Sequence, residues 1–223
     1  MQRVDEEPVV FSSGALSLEG RVSIPTGATG AAVVCHPHPH YGGEMDNSIV
    51  VATTGALRRR GIATLRFNFR GVGRSEGRYD DGIGELDDAR AAVERLRDEV
   101  PNAPVALGGY SFGAMVALLA GHDQGGVGRL FAIALPVTMF DVSKIAGSEK
   151  PKLFLAGDRD PYCPYTALEA AVEKLAGENV LRRLTGADHF LFGFEEEIGE
   201  AVSSFCAAAG TIRAPAIDPF VKP

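Results

Sequence analysis

The chain has 223 residues, a length that fits one domain and allows a sizeable hydrophobic core. Its 45% hydrophobic and 23% charged residues are typical of a globular protein. The net charge of −7 argues against nucleic acid and against an anionic membrane as the main partner.

Two features of the chain predict a cytoplasmic location. The first eight residues lack the apolar run of a signal peptide, and the longest apolar run, residues 130–140, is well short of the roughly 20 residues that a membrane helix needs. The three cysteines, Cys35, Cys163 and Cys206, are odd in number and have no regular spacing. This pattern favours free thiols in a reducing compartment over a disulfide framework.

From about residue 30 onward, short apolar runs alternate with helical patterns. Short apolar runs are typical of strands buried on both faces, whereas apolar residues every three or four positions indicate a helix. We predict a hairpin and then six strands, at residues 9–11, 16–24, 31–35, 62–69, 105–109, 130–135, 152–156 and 179–184. We predict helices at residues 46–60, 86–100, 112–121, 166–175 and 194–205. Asp46 is the expected cap of the first helix, and Thr166 with Glu169 forms the expected capping box of the fourth.

This alternation predicts an α/β fold, with a mostly parallel central sheet of about eight strands, an antiparallel start and helices on both faces. We expect a single domain over residues 1–223, with its core at about residues 9–209 and a proline-rich tail at residues 210–223. Residues 136–151 alone separate the sixth and seventh strands, which leaves no room for a substantial cap domain.

The pattern Gly-x-Ser-x-Gly, which places a serine nucleophile on a sharp strand-to-helix turn, occurs twice. At residues 109–113 it lies between a predicted strand and a predicted helix, so Ser111 stands at a helix N-terminus that favours developing negative charge. At residues 73–77 it is followed by residues 79–82, which have the composition of a loop. We therefore interpret Ser111 as the nucleophile and Ser75 as a structural residue.

A serine hydroxyl needs a base to take its proton, and the base needs a carboxylate to orient it. His189 follows the last predicted strand and is the only histidine after His122, so we predict that it is the base. Two acids, Asp158 and Asp160, follow the preceding strand. Asp160 is preferred to Asp158 because the turn needs a few residues to bring a carboxylate towards the histidine. Asp188 is a poor candidate because the side chains of adjacent residues in a loop generally point away from each other.

The loop after the third strand contains histidines at positions 36, 38 and 40, alternating with prolines. Histidine is a common metal ligand, but only Glu44 and Asp46 lie nearby to complete a metal site. An oxyanion loop fits better. Since proline has no N–H, His38 is the expected backbone donor beside Phe112, with the Tyr41 hydroxyl as a third candidate. We expect no metal and no cofactor.

Five segments of the chain carry a resemblance to a known family. They are His-Pro-His-Pro at residues 36–39, Arg-Phe-Asn-Phe-Arg-Gly-Val-Gly-Arg-Ser at 66–75, Gly-Tyr-Ser-Phe-Gly at 109–113, Gly-Asp-Arg-Asp at 157–160 and Ala-Asp-His-Phe at 187–190. Over residues 9–209 the chain resembles the α/β-hydrolase superfamily, in particular its small bacterial members related to dienelactone hydrolases. The resemblance implies the α/β-hydrolase fold and a triad of Ser111, Asp160 and His189.

Two departures from that family pattern stand out. Dienelactone hydrolases proper use a cysteine where this chain has Ser111. His-Pro also replaces the more usual His-Gly of the oxyanion loop, which leaves the choice of the second oxyanion donor open.

Together these observations predict a serine hydrolase, specifically a carboxylesterase that acts on short-chain or other small esters through an acyl-enzyme. Two alternatives stay open: a peptidase or acyl-peptide hydrolase on the same triad, and a non-catalytic α/β-hydrolase-like binding protein. The expected partner is a small-molecule ester. We expect neither nucleic acid nor a membrane as partner, and a homodimer is left open.

Overall fold

The computed structural model describes residues 6–101 and 103–207, so the predicted tail at residues 210–223 lies outside it. In the described part, eight strands form one sheet in the order β1-β2-β4-β3-β5-β6-β7-β8. The strands are β1 Glu7–Ser13, β2 Leu16–Ser23, β3 Gly30–Cys35, β4 Ile62–Phe67, β5 Val105–Tyr110, β6 Val127–Ile133, β7 Lys152–Gly157 and β8 Asn179–Leu184. The helices are α1 Ser48–Arg59, α2 Gly84–Glu99, α3 Phe112–Gly121, α4 Tyr165–Val172 and α5 Glu195–Ala207.

The sheet is antiparallel at one edge only. β1 pairs with β2, and β2 with β4, in antiparallel register, and each later pair is parallel. β3, β4, β5 and β7 are buried along their whole length, which is why they read as continuous apolar runs rather than as alternating patterns. The predicted α/β sheet with an antiparallel start is confirmed.

Helices cover both faces of this sheet. Leu96 of α2, Val116 of α3 and Leu168 of α4 belong to one buried cluster. Leu57 of α1 and Val202 of α5 belong to a second cluster on the other face. Between β6 and β7 there is a single 3₁₀ turn and no large cap, as predicted. No helix in residues 6–101 or 103–207 combines the length and the apolar character needed to span a membrane.

Two predicted helix caps are wrong. Asn47 rather than Asp46 caps α1, because its side chain accepts a hydrogen bond from the N–H two residues further on. Asp46 is instead bonded to Arg66. The fourth helix begins at Tyr165, so Thr166 already lies inside its first turn and no side-chain cap forms.

Seven of the eight strands end or begin at other residues than predicted, and the largest differences toward the centre of the sheet are in β4 and β6. β4 ends at Phe67 rather than at residue 69, and β6 runs over Val127–Ile133 rather than over residues 130–135. The second difference has a backbone cause: Ala134 has a φ of 48°, which turns the chain out of the extended conformation directly after β6.

The strand order leaves a crevice at the carboxyl ends of β3 and β5. After β3 the chain crosses to β4 on one side, and it then returns to β5 on the other side of β3. The loops that follow β3 and β5 therefore leave in opposite directions. The crevice between two such loops is the place where open α/β sheets bind ligands.

Buried His36 joins the loop after β3 to the loop after β4. Its Nδ1–H donates to the carbonyl oxygen of Pro37 at 2.7 Å, and its Nε2 accepts from the N–H of Phe69 at 3.1 Å. Only the neutral ring satisfies both contacts, since protonation would set two donors against each other. Burial accordingly lowers the pKa of His36 from 6.5 to about 4.

We expect His36 to make the free energy of unfolding depend on pH. Between about pH 6.5 and pH 4 the unfolded chain binds a proton at this residue and the folded chain does not, so stability is present above that window and falls within it. Across this window His36 lowers the free energy of unfolding by about 3 kcal/mol. Urea unfolding at neutral pH and at about pH 4 measures it.

The matched variants are His36→Gln and His40→Gln, the second at an exposed histidine of the same loop. His36→Gln should lose this part of the pH dependence, whereas His40→Gln should keep it. Equal pH dependence in the wild type and in His36→Gln would show that the buried ring does not act as we infer.

Candidate active site

Ser111 lies in the turn between β5 and α3 with φ of 54° and ψ of −116°, a backbone conformation that residues other than glycine rarely adopt. The flanking glycines are required by close packing. A Cβ on Gly109 would lie 2.6 Å from the carbonyl oxygen of Cys35, and one on Gly113 would lie 2.4 Å from that of His36. The two glycines of the Gly-x-Ser-x-Gly pattern thus permit a tight contact between this turn and the end of β3.

The three predicted triad residues form one chain of hydrogen bonds. Oγ of Ser111 lies 2.9 Å from Nε2 of His189, and Nδ1 of His189 lies 2.7 Å from Oδ2 of Asp160. In the tautomer that satisfies both contacts, Nδ1–H donates to the carboxylate and Nε2 accepts from the hydroxyl. In this arrangement the imidazole can take the serine proton.

The Asp160 carboxylate is buried, and both of its oxygens have donors. Oδ1 accepts from the N–H of Tyr162 at 2.8 Å and from that of Cys163 at 2.9 Å, while Oδ2 faces His189. Hydrogen bonds to an ionised carboxylate are strong and directional, so they fix the orientation of the group.

The other two candidate acids, Asp158 and Asp188, make different contacts. Oδ1 of Asp158 accepts from the N–H of Gly186 at 2.8 Å and so joins the loop after β7 to the loop after β8. Oδ1 of Asp188 accepts from the N–H of Phe190 at 2.9 Å. Both carboxylates therefore hold backbone in place, and Asp160 is the one bonded to the imidazole.

Tyr110 is a site residue that the sequence reasoning missed. Its hydroxyl donates to the carbonyl oxygen of His189 at 2.7 Å and anchors the loop that carries the imidazole. Burial, with smaller effects from Asp160 and Asp188, raises the pKa of the Tyr110 phenol well above its ordinary value, so the hydroxyl stays a donor at neutral pH. The serine motif treats this position as variable, so no pattern in the sequence marks it.

The backbone N–H groups of Phe112 and His38, the two predicted oxyanion donors, make no hydrogen bond within the described part of the chain. Phe112 is the first residue of α3, where helical N–H groups have no partner within the helix. The rings of His38 and Phe112 lie 4.9 Å apart, so the loop after β3 packs directly against the serine turn.

The His38 ring holds its own loop in shape. Nδ1 accepts from the N–H of His40 at 3.2 Å, and Nε2 lies 3.1 Å from the hydroxyl of Tyr79, a contact that the sequence did not reveal. Burial, followed by the charge of His40, lowers the pKa of His38, which favours the neutral ring that these contacts need. Tyr41 lies at the surface, 88% exposed, and packs its ring against His38.

The structure does not support a metal site in the loop after β3. Both ring nitrogens of His36 are occupied by backbone groups, and His40 is exposed. Among the described residues, no group of three His, Cys, Asp or Glu side chains is arranged to hold a metal ion.

Ser75 and Cys163 also carry nucleophilic groups, and the structure gives each of them a structural environment rather than an activating one. Oγ of Ser75 donates to the carbonyl oxygen of Asn68 at 2.7 Å and accepts from the N–H of Glu19 at 3.1 Å. Burial, with the nearby Asp160 carboxylate, raises the pKa of the Cys163 thiol to about 12, which keeps it protonated at neutral pH.

Comparison with known proteins identifies the family. Residues 33–146, just over half of the chain, match the family model described as serine aminopeptidase, S33. An uncharacterized protein of Rickettsia prowazekii (strain Madrid E) is 33% identical over 207 residues, which cover 88% of this chain and 87% of that protein.

Two solved structures are similar over almost their whole length. An α/β serine hydrolase homologue from Coxiella burnetii is 32% identical with a TM-score of 0.83, covering 90% of this chain and 97% of that one. An α/β serine hydrolase without a lid from Xanthomonas campestris is 31% identical with a TM-score of 0.79, covering 94% and 99%. This chain therefore belongs to the α/β-hydrolase superfamily. Within it, the chain is a member of the α/β serine hydrolases and matches the family described as serine aminopeptidase, S33.

Proposed function

We propose that this chain is a carboxylesterase that hydrolyses small esters through an acyl-enzyme on Ser111. The observation that carries the proposal is the hydrogen-bond chain from Ser111 through His189 to Asp160 at a strained strand-to-helix turn. A hydroxyl, an imidazole and a buried carboxylate in this order are the groups that acyl transfer requires.

In the first half of the reaction, Oγ of Ser111 attacks the ester carbonyl carbon while its proton passes to Nε2 of His189. We assign the N–H groups of Phe112 and His38 to the negative charge that develops on the carbonyl oxygen. The tetrahedral intermediate collapses when His189 gives its proton to the alcohol oxygen, the carbon–oxygen bond breaks and the alcohol leaves.

Water then releases the acid. His189 takes a proton from a water molecule, whose oxygen bonds to the acyl carbon, and the bond to Oγ breaks as Ser111 regains its proton. Asp160 stabilises the imidazolium that forms in each half of the reaction. An open site suits this second half, and the short connection between β6 and β7 supports such openness.

The family description favours a second candidate function, peptide hydrolysis on the same triad. The two functions differ in the leaving group, which is an alcohol in one case and an amine in the other. An ester and an amide with the same acyl group therefore distinguish them.

We predict that Ser111→Ala lowers the turnover of p-nitrophenyl acetate by on the order of 10⁶ without unfolding the protein, because no other side chain of the triad can form the acyl-enzyme. Spectrophotometric assay of wild type and variant, with p-nitroacetanilide as the matched amide, measures this loss. Hydrolysis of the anilide at a rate comparable to that of the ester would replace the esterase proposal by the peptidase, because the ester is intrinsically the more reactive of the two.

Ser75→Ala is the control, because it removes the serine of the second Gly-x-Ser-x-Gly pattern. It should leave turnover nearly unchanged and lower the free energy of unfolding by about 1 kcal/mol, since Oγ of Ser75 bonds two backbone groups. Equal loss of activity in both variants would contradict the assignment of Ser111.

We expect Asp160→Asn to reduce kcat by up to about 10⁴ with little change in KM. The N–H groups of Tyr162 and Cys163 would hold the amide oxygen at the Oδ1 position and so turn the NH₂ group towards His189. The ring would then carry its proton on Nε2 and could not accept the proton of Ser111.

The matched variant is Asp158→Asn, two residues away. It weakens the contact with Gly186, so it should lower the melting temperature and leave kcat close to that of the wild type. Kinetics and thermal unfolding of both variants separate the two roles. An inactive Asp158→Asn together with an active Asp160→Asn would show that Asp158, and not Asp160, orients His189.

A further inference from the structure

Three aromatic side chains, Tyr162, Phe190 and Phe192, form a strip beside the base, here named the base-side strip. The Tyr162 ring lies 4.9 Å from the imidazole of His189, and the Phe190 ring lies 6.3 Å from it. Phe190 and Phe192 stack at 6.1 Å with their planes 14° apart. Tyr162 is 49%, Phe190 59% and Phe192 76% exposed, so all three present apolar ring surface to water close to His189.

The backbone of this segment is strained in a way that keeps the two phenylalanines at the surface. Leu191, between them, has a φ of 58°, a conformation that costs a leucine free energy. Its side chain is fully buried in the core cluster that includes Ile198 and Val202, and this burial holds it there. Strained residues of this kind are concentrated at functional sites.

The chemistry of the reaction decides which part of a substrate meets the base-side strip. His189 must give its proton to the alcohol oxygen, so that oxygen has to come within hydrogen-bond distance of Nε2. The group attached to it is therefore the part of the ester that lies closest to the rings around His189.

We propose that the base-side strip binds the alcohol part of the substrate and that the preferred substrates are esters of uncharged aromatic alcohols. This inference rests on the esterase function proposed above. Exposed aromatic faces bind another aromatic ring by stacking or by edge contact. The carboxylate of Asp188, bonded to the N–H of Phe190, puts negative charge beside the strip and disfavours anionic alcohols.

The test compares benzyl acetate with ethyl acetate, which share the acyl group and differ in the alcohol. Phe190→Ala and Phe192→Ala should each lower the benzyl-to-ethyl ratio of kcat/KM by roughly fivefold, because only the benzyl group has a ring that can contact the strip. Val10→Ala, at an exposed apolar residue on the far edge of the sheet, should keep the wild-type ratio.

A second pair, ethyl phenylacetate and ethyl acetate, moves the ring to the acyl side, and its ratio should stay the same in all variants. Wild-type benzyl-to-ethyl ratios in both phenylalanine variants, or a loss confined to the acyl-side pair, would overturn this inference alone. A wild type that hydrolyses none of these esters would overturn the proposed function as well.

Discussion

The site depends on the close approach of the turn after β5 to the end of β3. The glycines on either side of Ser111 lie against the carbonyl groups of Cys35 and His36, at distances that leave no room for a Cβ. β5 is held in parallel register between β3 and β6, so the turn cannot relax away from this contact. That pairing maintains the positive φ of Ser111. This backbone conformation places the Ser111 hydroxyl and the N–H of Phe112 beside the loop after β3.

The remaining groups of the site are oriented by hydrogen bonds between loops that leave the same edge of the sheet. Backbone N–H groups hold Asp160, Asp158 joins the loop after β7 to the loop after β8, and Tyr110 anchors the backbone of His189. Because these bonds are made between groups of the protein itself, they hold the side chains of the site in one orientation. Such preorganisation is the main source of electrostatic stabilisation in enzymes.

Much of this arrangement could be predicted from local patterns. β8 has the predicted ends, and the triad candidates follow from the order of strands and the scarcity of histidines late in the chain. Tyr110 and Tyr79 could not be predicted, since their partners His189 and His38 lie 79 and 41 positions away and no spacing rule relates them. A cytoplasmic location and the oxyanion roles of Phe112, His38 and Tyr41 stay predictions.

We propose that Ser111 is the nucleophile, and covalent labelling tests this role. A fluorophosphonate should form an Oγ–phosphorus bond with the activated serine and release fluoride. Peptide mapping by mass spectrometry should locate a single adduct on the peptide that contains Ser111, and Ser111→Ala should not react. An adduct at Ser75, or undiminished labelling of Ser111→Ala, would contradict the claim.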